Sequence, residues 1–153
     1  MNRFAATPLA VLVLAVSACG GDDAPSKADF AADADRICNN AEKQLAQVGD
    51  NASTPKQIAD AVDKVIEQSQ DSVDELQDLE RPDGAAGEAA DKFVDALGTD
   101  IEDKGIPALE DLRDAVRDED EQAAQDAAER LQAIETSNTD KLARDIGAKA
   151  CAD

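Results

Sequence analysis

The side chains best suited to forming new bonds in this 153-residue chain are three cysteines, Cys19, Cys38 and Cys151. There is no histidine, so neither a Ser-His nor a Cys-His nucleophile pair can be assembled. Two cysteines without histidine also make a poor metal site, and Cys19 stands in a context that commits it elsewhere. The 35 Asp and Glu side chains offer carboxylate pairs of the kind that cleave glycosides. At that density close pairs on helical surfaces are unavoidable and mark nothing. The densest acidic run, RDEDEQ at 117–122, invites calcium. It lacks the glycine and the spaced bidentate glutamate of an EF-hand loop, and it reads as an acidic helix start. No glycine-rich phosphate loop and no CxxC occur. No catalytic, cofactor-binding or metal-ligating residue is therefore assigned, and a non-enzymatic protein is expected.

Cys19 ends an apolar run. Residues 1–18 read MNRFAATPLAVLVLAVSA, with Arg3 as the positive start and Leu9–Val16 free of polar groups. That run is too short to span a bilayer, which takes roughly 20 residues, and it fits a secretory leader. One reading is an ordinary leader cut after Ala18, with Cys19 a bystander. The other is a bacterial lipoprotein signal, because Val16-Ser17-Ala18-Cys19 has the small residues that precede a lipidated cysteine. The second is expected: residues 1–18 are the signal and 19–27 a lipidated tether. GGDDAPSK, 20–27, has nothing to bury and should behave as a flexible link of roughly 15 Å root-mean-square length. Acyl chains on Cys19 would hold the protein on the extracytoplasmic face of the cell membrane.

Export bears on the other two thiols. An even number in an oxidising compartment argues for one disulfide, Cys38–Cys151, with two separate buried thiols as the alternative. A loop of this length would remove roughly 4–5 kcal/mol of denatured-state entropy in the chain-entropy account. Without Arg3, 14 basic side chains face 35 acidic ones. Such a surface repels nucleic-acid phosphate and anionic head groups, so no nucleic-acid partner is expected and lipid must hold the chain at the membrane. Phe30 and Phe93 are the only aromatics after the leader.

Residues 28–153 must position these groups, and they read as four amphipathic helices without strand-like alternation. The first carries Phe30, Ala34, Ile37, Ala41, Leu45 and Val48, with a capping-box start at Ser26/Asp29 and a stop at Gly49. The second opens on Thr54-Pro55-Lys56-Gln57 and carries Ile58, Val62, Ile66, Val73, Leu76 and Leu79 before Pro82. The third starts near Ala85 and carries Phe93, Leu97, Ile101, Leu109, Leu112 and Val116. Pro107 should kink it, because proline removes a backbone bond and crowds the preceding turn. The fourth starts near Asp120 and carries Ala127, Leu131, Ile134, Asn138, Leu142 and Ile146, ending at Gly147. Asn138 is either a polar group on the buried face or a partly exposed residue at a loosened turn. Short connections predict an all-α, antiparallel up-down four-helix bundle, with the chain end returning beside the first helix.

Three segments, DFAADADRICNNAEKQL at 29–45, DLERPDGAAGEAADKFVDAL at 78–97 and NTDKLARDIGAKAC at 138–151, together give a pattern. It resembles a group of small exported two-cysteine helical proteins of actinobacteria, some of them lipoproteins, largely uncharacterised. The resemblance implies a cysteine pair joining the first helix to the C-terminus, matched by Cys38 and Cys151, and brings no activity. This chain differs in having Phe93 where many relatives have tryptophan, and in its acidity. Two functions fit. One is a lipid-anchored interaction or structural module presenting a helical face to an envelope protein or wall polymer. The other is a lipoprotein holding a small hydrophobic or cationic molecule between its helices.

Overall fold

A computed structural model describes residues 24–48 and 52–152. The expected signal (1–18), Cys19, the first part of the expected tether (19–27) and Gly49 lie outside them. The described residues are helical and contain no strand. In chain order they form α1 (Lys27–Leu45), α2 (Pro55–Gln77), α3 (Ala85–Gly98), a π-helical segment (Thr99–Gly105), α4 (Ile106–Arg117), α5 (Glu121–Gln132), α6 (Ser137–Ile146) and a 3₁₀ turn (Lys149–Cys151).

Local chemistry sets the first two helix starts. Ser26 accepts from the Asp29 backbone N–H while the Asp29 carboxylate accepts from the Ser26 N–H. Thr54 and Gln57 make the same reciprocal pair, with Pro55 in the first turn. The third stretch is composite. α3 and α4 are joined without a break by the π turn, in which the Ile106 N–H bonds to the Ile101 carbonyl. Pro107 supplies the cause. A proline ring presses on the carbonyl four residues back, and a π turn opens the ladder at that point.

The fourth stretch is composite too. It is not one helix from Asp120 to Gly147: α5 stops at Gln132 and α6 starts at Ser137. Thr136-Ser137-Asn138-Thr139 are weak helix formers, and the break lets α6 turn a new face inward. That face is Thr139, Ala143 and Ile146, whereas Asn138 is exposed. α1 also stops at Leu45, short of the expected Gly49, and Leu45 is exposed.

Burial is concentrated in one cluster. Phe30, Ala34 and Ile37 of α1 meet Leu76 of α2, Ala90, Phe93 and Val94 of α3, and Ala143 and Ile146 of α6. Cys38 and Cys151 border it. A smaller cluster joins Val62 and Ile66 of α2 to Ile106 of α4, flanked by Ile101, Leu109 and Leu112. α5 packs extensively on α4 alone and buries only Ala127.

Candidate functional site

The two cysteines among the described residues are bonded. Cys38 and Cys151 have an S–S distance of 2.08 Å and a Cα–Cα distance of 5.3 Å, across a sequence separation of 113 residues. The surrounding contacts stitch the chain end onto α1. The Asp35 carboxylate accepts from the Ala150 N–H at 2.7 Å, and Lys27 Nζ donates to the Asp145 carbonyl at 2.7 Å. Arg144 donates to the Ala152 carbonyl at 3.2 Å. Gly147 makes the reversal possible at φ 100°, a left-handed conformation that disfavours any side chain.

Arg81 ties the next corner. Its guanidinium lies 5.4 Å from the Phe30 ring centroid and donates to the Leu76, Gln77 and Leu79 carbonyls at the end of α2. Its Nε meets Asp91 at 3.0 Å. Gly87 fits close against this turn, since a Cβ there would stand 2.2 Å from the Pro82 carbonyl oxygen. Thus Phe30, Arg81, Pro82, Gly87, Phe93, Ile146 and Gly147, drawn from the three segments of the sequence pattern, build one corner of the molecule.

The π segment carries a buried carboxylate. Asp100 is 9% exposed and accepts from Thr139 Oγ1 at 2.5 Å and from Lys104 Nζ at 2.5 Å. Burial pushes its carboxyl upward, but the hydrogen bonds from Lys104 and Thr139 outweigh it and hold the group below the usual carboxylate range. Thr139, 2% exposed, thereby pins α6 to the rod formed by α3 and α4. The sequence pattern does not pair these two residues, which lie 39 positions apart. The available signal was an acid between Leu97 and Ile101 on the apolar stripe, with a lysine four residues on.

The RDEDEQ run builds the α4–α5 turn. Asp120 accepts from the Ala123 N–H and starts α5, and Glu119 sits at φ 56°. Above that turn a groove of about 460 Å³ between α4 and α5 is lined by Asp111, Asp114, Asp118, Asp120, Asp126 and Arg130, with Ala115 and Ala123. Among the described residues no three His, Cys, Asp or Glu side chains converge as metal ligands do. The cations here are engaged by acids: Arg113 and Arg117 by Asp63 and Asp114, Arg130 by Asp111. No helix of the described residues is long and apolar enough to cross a membrane. No family model, no curated protein and no solved structure matches the chain.

Proposed function

We propose that this protein is a lipid-anchored, non-enzymatic module of the cell envelope, held on the extracytoplasmic face through Cys19 and presenting the acidic α4–α5 face to a basic partner. In this reading the helices form an antiparallel up-down four-helix bundle of the exported two-cysteine type. Pairing of Asp63, early in α2, with Arg117, at the end of α4, supports the antiparallel order. The observation that carries the function is the state of the charges on α4 and α5. Every arginine there is already engaged by aspartate, so the acid excess of residues 110–135 has no internal counterpart and faces outward. Alanines floor that face and let a partner helix or polymer approach closely.

The five-aspartate groove favours one alternative, a lipoprotein taking a small cationic molecule there. A photo-crosslinker at Gln125, exposed on α5, separates the two on intact cells. Capture of one identified envelope protein or wall fragment, lost on reversing Asp118 and Asp126 to lysine, supports the module. Small-cation binding by calorimetry without any macromolecular adduct favours the alternative. The anchor is tested apart from either. Cys19→Ser should release the protein or leave an unprocessed precursor, and membrane-bound mature Cys19→Ser protein would sink the lipid reading.

A further inference from the structure

We propose that α5 is a strap: it detaches from α4 and refolds onto it as one unit while the rest of the molecule stays folded, and ionic strength sets how often it is open. Such motion needs neither the lipid anchor nor a partner.

Little holds α5 down. It has 12 residues, at the lower limit for a helix standing alone, and Ala127 is its one buried side chain. Among the described residues it makes one ion pair with α4, Arg130–Asp111 at 2.7 Å, and both partners are more than half exposed. By contrast α2 buries Ala59, Val62, Ile66, Val73 and Leu76. Few buried apolar contacts and solvent-exposed helical bonds mark a segment that opens by itself. Acids line both walls of the α4–α5 groove, Asp111, Asp114 and Asp118 on one and Asp120 and Asp126 on the other. Like charge therefore pushes the walls apart until salt screens it.

Both ends of the strap are hinged, and both hinges are clamped from outside. At its start Glu119 sits at φ 56°, a left-handed conformation that strains a residue with a Cβ. At its end residues 133–136 belong to no helix. Before the first hinge Arg117 is fixed to Asp63 of α2 at 2.5 Å, and after the second Thr139 is fixed to buried Asp100 at 2.5 Å. Detachment of α5 leaves both clamps in place.

Chain length permits this. Asp100 and Arg117 lie on one rod, roughly 25 Å apart at helical rise. Residues 117–139, taken as a flexible chain, also span roughly 25 Å root-mean-square. A released α5 thus bridges its clamps without pulling on either. Opening takes the groove apart at Ala115, which is buried when the strap is down, so only the closed form presents the whole acidic α4–α5 face.

Native-state hydrogen exchange tests the strap, on the whole chain with its disulfide bonded. It is read amide by amide at about 10 mM sodium chloride, without urea and in urea below the unfolding transition. After correction for intrinsic rates, amides from Ala124 to Gln132 should exchange at least about 100-fold faster than those from Val62 to Leu76. Their exchange should depend little on urea, because a local opening exposes little surface. Salt at about 150 mM should slow α5 severalfold more than α2. Glu119→Gly removes strain from the closed strap alone, and should slow α5 by about two- to fivefold while leaving α6 unchanged. Exchange of α5 no faster than that of α2, or with the same urea dependence, overturns the strap, as does opening of α6 together with α5. Equal salt responses in α5 and α2 overturn its ionic control.

Discussion

Glu119 and Gly147 occupy the same position at the ends of two helices. Past α4, the Asp120 N–H bonds back to the Ala115 carbonyl and the Glu119 N–H to Val116; past α6, the Ala148 N–H bonds to Ala143 and the Gly147 N–H to Arg144. Both geometries require left-handed backbone, at φ 56° and 100°. Only Gly147 is the residue type that adopts it without strain. Glu119→Gly should therefore stabilise the protein, by about 0.5–1 kcal/mol, and Gly147→Ala should destabilise it by about 1–2 kcal/mol. The alanine has room, its Cβ lying 3.5 Å from that of Ala31, so the loss is one of conformation. Urea unfolding of the two variants checks the opposite signs. Asp100 makes a second prediction. Its carboxyl is lowered in the folded state, so the unfolded chain binds a proton more readily and stability rises with pH through that window. The contribution is complete above about pH 4 and disappears as pH falls through the lower folded value. Asp29, Asp60 and Asp114 shift the same way, through Ser26, Lys56 and Arg113, but on exposed surface. Thr139→Val should cost about 1–3 kcal/mol at neutral pH by leaving one oxygen of the buried carboxylate without its donor, with Lys104 still on the other. Asp100→Asn should flatten the acid limb of the stability curve. An acid limb identical to that of the parent would show that Asp100 does not carry it.

Two short helices end the chain, and they depend on different supports. α6 has ten residues, fewer than the roughly 12–15 an isolated helix needs, and it is held by α3 and by the turn bonded to α1. α5 leans on α4, remote from the disulfide. Loss of the bond should therefore be felt unevenly. Cys151→Ser is expected to cost about 2–5 kcal/mol overall. Hydrogen exchange should quicken first in α6, with α5 little changed; a uniform response would mean that the disulfide acts only on the unfolded chain. The same elements explain what the sequence disclosed. Both capping boxes and the Pro55 start were legible, because the partners lie within three residues of each other. The pairing of Cys38 with Cys151 was expected from an even cysteine number under the proposed export, and the two are bonded. The weak helix formers at 136–139 signalled a loosened turn, but a full break at 133–136 was masked because Leu131, Ile134 and Leu142 continue an apolar spacing across it. Of the two readings of Asn138 the exposed one holds, and Thr139 is the buried polar residue. The partner that rewards Thr139 is 39 residues away on another element, where no local pattern reaches. Pro107 announced a disturbance, but its form, a π turn that aims Asp100 inward, is decided by packing. Glu119 gave no hint of left-handed backbone, because glutamate seldom adopts it.

At the scale of the molecule the governing quantity is a formal charge of −20 on 153 residues. Two effects of salt oppose each other. Screening weakens attractive pairs, but the pairs here are mostly exposed, and exposed pairs contribute about 0–1 kcal/mol each. Screening also relieves repulsion summed over the whole surface, which an excess of 20 acids makes the larger effect. Repulsion along residues 110–135 should matter most for α5, which has little apolar burial to set against it. The melting temperature should therefore rise by a few degrees from about 10 mM to 150 mM sodium chloride, since a gain of about 1 kcal/mol moves a domain of this size by roughly 2–8 °C. Protection of α5 amides should increase more than that of α2. A melting temperature that is flat or falls would mean that the pairs around Asp63, Asp111 and Asp114 outweigh the repulsion. Calcium supplies the control. At matched ionic strength it should do no more than sodium plus modest general screening; a jump of many degrees would instead require a bound ion, and the aspartates between α4 and α5 are where charge-neutralising substitutions should abolish it.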